Sequence, residues 1–348
     1  MEGETWRGRY KETTLGRINS PISAGYNHYG IIDEKENLYM AGNNDEGQLG
    51  VGKDIKKSNI PILVKFPGKS QKVISIFIHS RTTGAVTKDG KVYVWGRNLK
   101  GHFFPNQDNI WLPREVILPS AEKATKIVIN YLTYLVLLED FSVYFSSYIY
   151  TDTDDLGPRG PIRRHLKLDA IDISLSMVYG ALISKDHKLY SWWDIDIDQR
   201  IPIQLPESVI KVAMGDYHMI TLSTTGKVYI VGWEIWDKLD IDNPVLIKFP
   251  EKIVQIDAMN HYSAVVSETG RLYIWGIDEW DKFINDPTGG FSPPEISLGF
   301  PVNYIALGPE FNIAVTDDQI VNYWEKWPFP DPDPTDIHPY ETTRPPPV

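Results

Sequence analysis

A short phrase of apolar and aromatic residues returns seven times along this chain and constrains its fold more than any other feature. The clearest copies are Gly90-Lys91-Val92-Tyr93-Val94-Trp95-Gly96, Gly226-Lys227-Val228-Tyr229-Ile230-Val231-Gly232 and Gly270-Arg271-Leu272-Tyr273-Ile274-Trp275-Gly276. Weaker copies lie at Leu38-Tyr39, Val143-Tyr144, Leu189-Tyr190 and Val321-Asn322. The spacing runs from 39 residues (Tyr190 to Tyr229) to 54 residues (Tyr39 to Tyr93). A unit of this size cannot bury its own hydrophobic face, so it must stack on its neighbours.

Each unit carries the pattern of up to four short strands. An apolar strand precedes the phrase, and a turn such as Lys88-Asp89-Gly90 joins the two, which is typical of a hairpin. A β-branched run such as Val73-Ile74-Ser75-Ile76 supplies another strand. Upstream of that run, six units carry a proline ahead of a short apolar strand, at Pro61, Pro113, Pro161, Pro202, Pro244 and Pro294, and proline suits the first residue of an edge strand.

Seven units of about four strands predict an all-β fold, a seven-bladed β-propeller of mostly four-stranded antiparallel blades over residues 16–327. A linear β-solenoid is the alternative, although its coils are usually shorter and more regular. We expect residues 1–15 to complete the last blade and close the ring, which would protect the sheet edges. The Pro-rich segment 328–348 is predicted to be an extended or disordered acidic tail.

Composition narrows the classes of function. The chain has 348 residues, a net charge of −11 and no cysteine. Because the chain has no run of basic residues, binding along a phosphate backbone is not expected. Because it has no cysteine, disulfides and zinc–cysteine sites are impossible. No stretch has the length of a membrane span or the pattern of a signal peptide, so we expect a soluble intracellular protein of the cytoplasm or nucleus. Ile, Asn, Lys, Tyr and Asp are abundant, as in proteins from A/T-rich genomes such as those of parasites and large viruses.

Two motifs carry a family resemblance. Gly42-Asn43-Asn44-Asp45-Glu46-Gly47-Gln48-Leu49-Gly50 resembles the signature Gly-x-Asn-Asp-x-x-x-Leu-Gly of the regulator of chromosome condensation repeat family. The family's Gly-x-x-His pattern is similar to Gly25-Tyr26-Asn27-His28 and to Gly215-Asp216-Tyr217-His218. The resemblance covers about residues 5–327 and implies a seven-bladed propeller.

The same resemblance implies several functions. The founding member of the family is an exchange factor for the small GTPase Ran and also binds nucleosomes, whereas other members are interaction domains or scaffolds. In the founding member, histidines of the Gly-x-x-His pattern face the GTPase, which corresponds to His28 and His218 here. Segments 97–114 and 147–165 do not resemble the projecting hairpin that exchange requires, and the basic tail that binds nucleosomes has no counterpart.

Candidate partner-binding residues follow from the motifs and from repeated tryptophans: His28, Asp45, Glu46, His218, Trp233, Trp236 and Trp280. The histidines could equally be hydrogen-bonded framework residues, and the tryptophans could pack between blades. If they lie on a strand, Asp194, Asp196 and Asp198 would share one face. Gln199 and Leu205 stand where a calcium loop needs Gly and Glu, which favours a solvated acidic face.

No phosphate-binding loop, His-Glu-x-x-His or Gly-x-Ser-x-Gly motif is present, and we expect neither a cofactor nor a catalytic residue. The leading hypothesis is a non-catalytic scaffold that binds a protein partner, basic by charge complementarity, through loops on one propeller face. The alternatives are an exchange factor or modulator of a Ran-like small GTPase, and a chromatin- or DNA-associated protein.

Overall fold

The computed structural model describes residues 20–325 except 106, 132, 148–161, 178, 194–196, 217, 233–243, 277–291, 310 and 318–320. This part of the chain forms seven antiparallel sheets and two single-turn 3-10 helices, at Leu99–Gly101 and Ile197–Gln199. None of the described residues belongs to a helix with the length and hydrophobicity of a membrane span.

Six sheets have four strands each, and consecutive strands pair in each of them. The first three sheets contain β1 (Ile22–Ala24), β2 (His28–Ile32), β3 (Leu38–Asn43) and β4 (Lys57–Leu63); β5 (Val73–His79), β6 (Thr82–Thr87), β7 (Val92–Arg97) and β8 (Asn109–Val116); and β9 (Ala124–Ile129), β10 (Thr133–Leu138), β11 (Val143–Ser147) and β12 (Ile162–Leu166).

The next three contain β13 (Ala170–Leu175), β14 (Tyr179–Ser184), β15 (Leu189–Trp193) and β16 (Ile201–Ile203); β17 (Val209–Met214), β18 (His218–Ser223), β19 (Val228–Gly232) and β20 (Val245–Ile247); and β21 (Ile253–Met259), β22 (Tyr262–Ser267), β23 (Leu272–Gly276) and β24 (Glu295–Ile296). The seventh sheet contains β25 (Val302–Leu307), β26 (Phe311–Thr316) and β27 (Val321–Glu325).

The sheets are the blades of a closed ring. The first strand of each blade contacts the first strand of the next, and β25 of the last sheet contacts β1 of the first. Ile22 and Ala24 of the first blade share an apolar cluster with Ala306, Ile313 and Val315 of the last. The predicted β-propeller is confirmed, and the solenoid alternative is wrong because a solenoid would leave its ends apart.

Stacking between blades explains the sequence pattern. The second strands are buried along most of their length, and β10 and β18 along all of it, because neighbouring blades cover both faces of the sheet. The repeated turns are tight hairpins, in which the Gly90 N–H donates to Thr87 at 2.8 Å and Gly90 has φ +84°. A positive φ of this kind favours glycine.

The last blade has three strands within the described residues. The predicted fourth strand from residues 1–15, and the predicted tail 328–348, lie outside the described residues, so both assignments stay predictions.

Candidate partner-binding face and axial cavity

The antiparallel topology collects two sets of connections on one face of the ring. Loops between first and second strands and loops between third and fourth strands emerge at the same end of each blade. We call this end the loop face, represented by residues 25–27, 43–56 and 80–81; the opposite end, with hairpins such as 88–90, is the turn face. The sequence-predicted residues His28, Asp45, Glu46 and His218 all lie at the loop face. Trp233, Trp236 and Trp280 lie outside the described residues.

The two candidate histidines connect adjacent blades. His28 Nε2 hydrogen-bonds to Thr83 Oγ1 of the second blade at 3.0 Å, and His218 Nε2 bonds to Ser263 Oγ of the sixth at 2.7 Å. Both side chains are completely buried. Burial lowers the pKa of each to about 3, so both rings are neutral at pH 7. In this structure, therefore, the imidazoles hold the blades together behind the surface that a partner could touch.

The glycine that opens each Gly-x-x-His motif is required by the same junction. A Cβ on Gly215 would lie 2.2 Å from His218 Cε1 and 2.5 Å from the carbonyl oxygen of Asn260. The next residue, Asp216, donates its N–H to that Asn260 oxygen at 2.7 Å. The motif thus brings the loops of two blades into direct backbone contact.

One buried amide organises the loop that carries Asp45 and Glu46. Asn44 Nδ2 donates to the carbonyl oxygens of Gly52 at 2.9 Å and Ile55 at 2.6 Å, and Asn44 Oδ1 accepts from the N–H of Leu49 at 2.9 Å. The family signature therefore encodes loop shape, and it leaves the side chain of Asp45 exposed.

A second copy of this loop was missed in the sequence. Asn98 Nδ2 donates to the oxygens of Phe104 and Gln107, both at 2.6 Å, and Asn98 Oδ1 accepts from Phe103 N–H at 2.9 Å. The signal is visible in Gly96-Arg97-Asn98-Leu99-Lys100-Gly101-His102-Phe103, which keeps the first-blade spacing of Gly, Asn and Gly, with Phe103 where the first blade has Leu49.

Charged side chains cluster on the loop face where the first two blades meet. Glu46 forms an ion pair with Arg81 and a second with Arg97, whose Nε lies 3.4 Å from Glu46 Oε2. The Arg81 guanidinium lies 5.4 Å from the centre of the Tyr26 ring. This cluster gives the face a polar edge with both signs of charge.

Exposed apolar side chains lie on the same face at the third and fourth blades. Tyr131 is 39% exposed, Met177 54% and Trp193 64%. Asn130 Nδ2 donates to the carbonyl oxygen of Ser176 at 2.8 Å, which brings the loops of Tyr131 and Met177 together. We call Tyr131, Met177 and Trp193 the apolar patch. The sequence feature that could have predicted this patch is Trp193, which stands where four other repeats have glycine.

A cavity of about 110 Å³ lies on the axis of the ring, where first strands of all seven blades line it. Six of these strands carry a β-bulge near the turn face. A bulge re-aims a side chain. Residues that directly follow the bulge, Ser75, Lys126, Asp172, Lys211 and Gln255, line the cavity.

Polar side chains of the cavity wall bind neighbouring blades. Lys126 Nζ lies 2.5 Å from Asp172 Oδ1, and Asp172 Oδ2 accepts from the N–H of Val212 at 3.0 Å. Gln255 exchanges two hydrogen bonds with the backbone of Ile305, at 3.0 and 3.2 Å. The sequence analysis did not predict this network, because the polar positions differ in residue type from blade to blade.

Two further carboxyls lie nearer the loop face. Asp257 Oδ2 accepts from the N–H of Leu307 at 2.7 Å, yet burial outweighs this bond and raises the pKa of Asp257 to about 7. Burial also raises the pKa of Asp216, and it lowers the pKa of Lys211 and, to about 4, that of His79. The described residues include no ion pair within 4.0 Å for Asp216, Asp257 or Lys211.

Within the described part of the chain, no group of His, Asp and Glu side chains has the arrangement of a metal site. Of the predicted acidic face, Asp194 and Asp196 lie outside the described residues. Asp198 lies in the second 3-10 helix and not on a strand, so the expectation of a shared strand face is wrong for this residue. Asp198 is exposed and its Oδ2 lies 2.6 Å from Arg164 Nη1, which agrees with a solvated surface position.

Comparisons with known proteins fit this architecture. Residues 35–86 match the family model described as "Regulator of chromosome condensation (RCC1) repeat". The human X-linked retinitis pigmentosa GTPase regulator is 33% identical over 97 residues, which are 28% of this chain and 9% of that protein. The ultraviolet-B receptor UVR8 of Arabidopsis thaliana is 26% identical over 239 residues, covering 61% of this chain and 52% of the receptor.

Among solved structures, that of Prp20p from Saccharomyces cerevisiae, whose description refers to its binding to Gsp1p and histones, matches with a TM-score of 0.65. It is 19% identical, and the match covers 84% of this chain and 81% of Prp20p. The chain matches less than two thirds of the length of the curated relatives named above. The chain is a β-propeller that resembles the regulator of chromosome condensation repeat family in both its sequence motif and its fold.

Proposed function

We propose that this propeller is a non-catalytic interaction module that binds a protein partner through its loop face. The apolar patch carries the proposal. Large exposed side chains gathered on one face of a folded domain are typical of interaction sites, and Trp, Tyr and Met are enriched at the centres of protein interfaces.

The surroundings of the patch support this role. The Glu46–Arg81–Arg97 cluster supplies charged groups on the same face, as expected of an interface rim. Hydrogen bonds between blades fix the loops in place, so little conformational entropy would be lost on binding. The net charge of −11 favours a basic partner.

The proposal is tested by comparing exposed residues on opposite faces. Trp193→Ala and Met177→Ala remove loop-face contacts, whereas Phe300→Ala removes a side chain that is 55% exposed on the turn face. We expect the full chain to capture a specific partner, and each loop-face variant to weaken binding at least tenfold, or about 1.4 kcal/mol, as for interface hot spots. Equal binding by both loop-face variants and wild type, or loss only with Phe300→Ala, would overturn the assignment of the face.

Regulation of a small GTPase is the second candidate. It is favoured by similarity to a protein named as a GTPase regulator and to Prp20p, whose reported binding includes Gsp1p. Release of fluorescent GDP from Ran, measured with and without micromolar propeller, tests exchange directly. Unchanged GDP release together with measurable Ran binding would indicate a modulator. Unchanged release without Ran binding would remove this candidate.

Reported histone binding by Prp20p likewise supports a basic partner.

A further inference from the structure

We propose that the axial cavity receives the side chain of one lysine or arginine from the protein partner, with Asp216 and Asp257 as its counter-ions. This inference rests on the proposed function, because the cavity extends to the loop face beside the apolar patch. It adds the chemistry of a partner residue at the centre of that interface.

The charged groups of the cavity wall favour the binding of one cation. The titratable groups of the wall are His79, Lys126, Asp172, Lys211, Asp216 and Asp257. With the histidine neutral and every aspartate ionised, two lysines face three aspartates, an excess of one negative charge in a partly buried site. Buried charge is costly unless it is paired, so a single lysine or arginine would complete the set.

The two lysines of the wall leave room for this cation. Lys126 is neutralised by Asp172, to which it is ion-paired. Lys211 occupies the level of the bulges, three residues from Met214 at the loop-face end of β17. Three residues of strand span about 10 Å. Asp216 lies beyond that end, and Asp257 lies two residues beyond the bulge of β21 toward the loop face. A side chain that enters from the loop face would therefore reach both carboxyls before Lys211.

The entrance suits the aliphatic part of such a side chain. Met177, Met214 and Met259 line the cavity on three successive blades. Methionine is flexible and adapts to the stems of long side chains. A volume of about 110 Å³ is smaller than the ~150 Å³ cavity that accommodates benzene. The cavity is therefore too small for a segment of polypeptide and admits at most one slender side chain.

Without a bound cation, the cavity can balance its charge by protonation of Asp257, so binding should depend on pH. A pKa of about 7 allows Asp257 to take up a proton when no cation is present. An arriving lysine ammonium would displace that proton, so binding should strengthen as the pH rises. For one group with this pKa, the affinity should change by about tenfold between pH 6 and pH 8.

Methionine methyl groups report on the cavity directly. The chain has six methionines, and three of them line the cavity, whereas Met40 and Met219 are fully buried elsewhere. The full chain, labelled with ¹³C at the methionine methyls, is titrated with Nα-acetyl-lysine methylamide or with its uncharged norleucine analogue. We expect the lysine probe to shift Met177, Met214 and Met259 with a dissociation constant of about 1 mM, and the norleucine probe to shift them far less.

Substitutions separate the cavity from the rest of the face. Asp216→Asn and Asp257→Asn should each weaken binding of the lysine probe at least tenfold, while exposed Asp54→Asn on the same face should leave it unchanged. The amide oxygen introduced by Asp257→Asn can still accept the hydrogen bond from the N–H of Leu307, and the Met40 and Met219 signals check that each variant is folded.

Equal shifts with norleucine, undiminished binding by both aspartate variants, or no shift up to about 50 mM probe would overturn the proposal. If the aspartate variants retain the protein partner while Trp193→Ala loses it, the proposed function stands and the cationic anchor fails. If neither kind of variant affects partner binding, the loop face itself is rejected.

Discussion

At the residue scale, single buried polar side chains shape long loops in this propeller. Asn44 and Asn98 each bind three or more backbone groups that are distant in sequence. Their amides supply both donors and an acceptor, which no aspartate or alanine can do. The same geometry in two blades shows that the repeat signature encodes a loop conformation, whose function depends on what the loop exposes.

Asn98→Ala should lower the free energy of unfolding by about 2 to 4 kcal/mol, because the oxygens of Phe104 and Gln107 and the N–H of Phe103 all lose their partner. Asn44→Ala should cost a similar amount. Urea denaturation measures both, with exposed Asn59→Ala as the control, for which a change below about 0.5 kcal/mol is expected. A cost for Asn98→Ala no larger than that of the control would contradict the role of the amide.

At the element scale, neighbouring blades are joined by hydrogen bonds and charges as well as by apolar contact. In five of the blades, the bulge in the first strand turns one residue toward the axis, and in the third and fourth blades these residues are Lys126 and Asp172. The Asp172 side chain is almost completely buried, so its charge depends on that lysine.

Lys126→Met should therefore destabilise the protein by about 3 kcal/mol, since it leaves a buried carboxylate without its counter-ion. The double variant Lys126→Met, Asp172→Asn removes both charges and should regain at least half of this loss. Unfolding free energies of wild type, both single variants and the double variant give the coupling. A coupling energy near zero would show that the two side chains act independently.

The raised pKa of Asp257 makes blade packing depend on pH. Its value of about 7 in the folded protein lies above the ~3.9 of an unfolded chain. The folded state binds this proton more tightly, so the stability contributed by the group is full below pH 4 and is lost as the pH rises through 7. Asp257→Asn should therefore gain about 3 kcal/mol relative to wild type between pH 5 and pH 8.

Thermal or urea unfolding of wild type and Asp257→Asn at several pH values tests this expectation. Comparing the two proteins at each pH removes the contribution of surface carboxylates such as Glu207, whose pKa is lowered by Lys227. A constant difference from pH 5 to pH 8 would mean that Asp257 titrates as it does in an unfolded chain.

Strands and turns were predictable because each follows from local chemistry repeated seven times. Gly90 and its equivalents mark hairpins, and prolines such as Pro61 and Pro113 mark outer strands. The cavity was not predictable, because every blade contributes to its wall and the polar residues at corresponding positions differ in type from blade to blade. Nor was the apolar patch, since Tyr131, Met177 and Trp193 are isolated in sequence and come to lie on one face only when the third and fourth blades fold.

At the scale of the whole molecule, the ring joins residues that are far apart in the chain. The first and last blades contribute to one apolar cluster, so the stability of every blade depends on closure at that junction. A propeller protects its sheet edges by closing. A destabilising change at the junction between the first and last blades should therefore affect the stability of more blades than the same change elsewhere.

Deletion of residues 1–15 tests how the ring is completed. The last blade shows three strands in the described part of the chain, and the other six blades have four, so we predict that this segment supplies the missing strand. Losing five or more strand hydrogen bonds at about 1 kcal/mol each should lower the melting temperature by roughly 5 °C or more. Deletion of residues 334–348, from the predicted tail, is the matched control and should leave it unchanged. An equal melting temperature for wild type and the N-terminal deletion would mean that the ring closes through three strands and the apolar cluster alone.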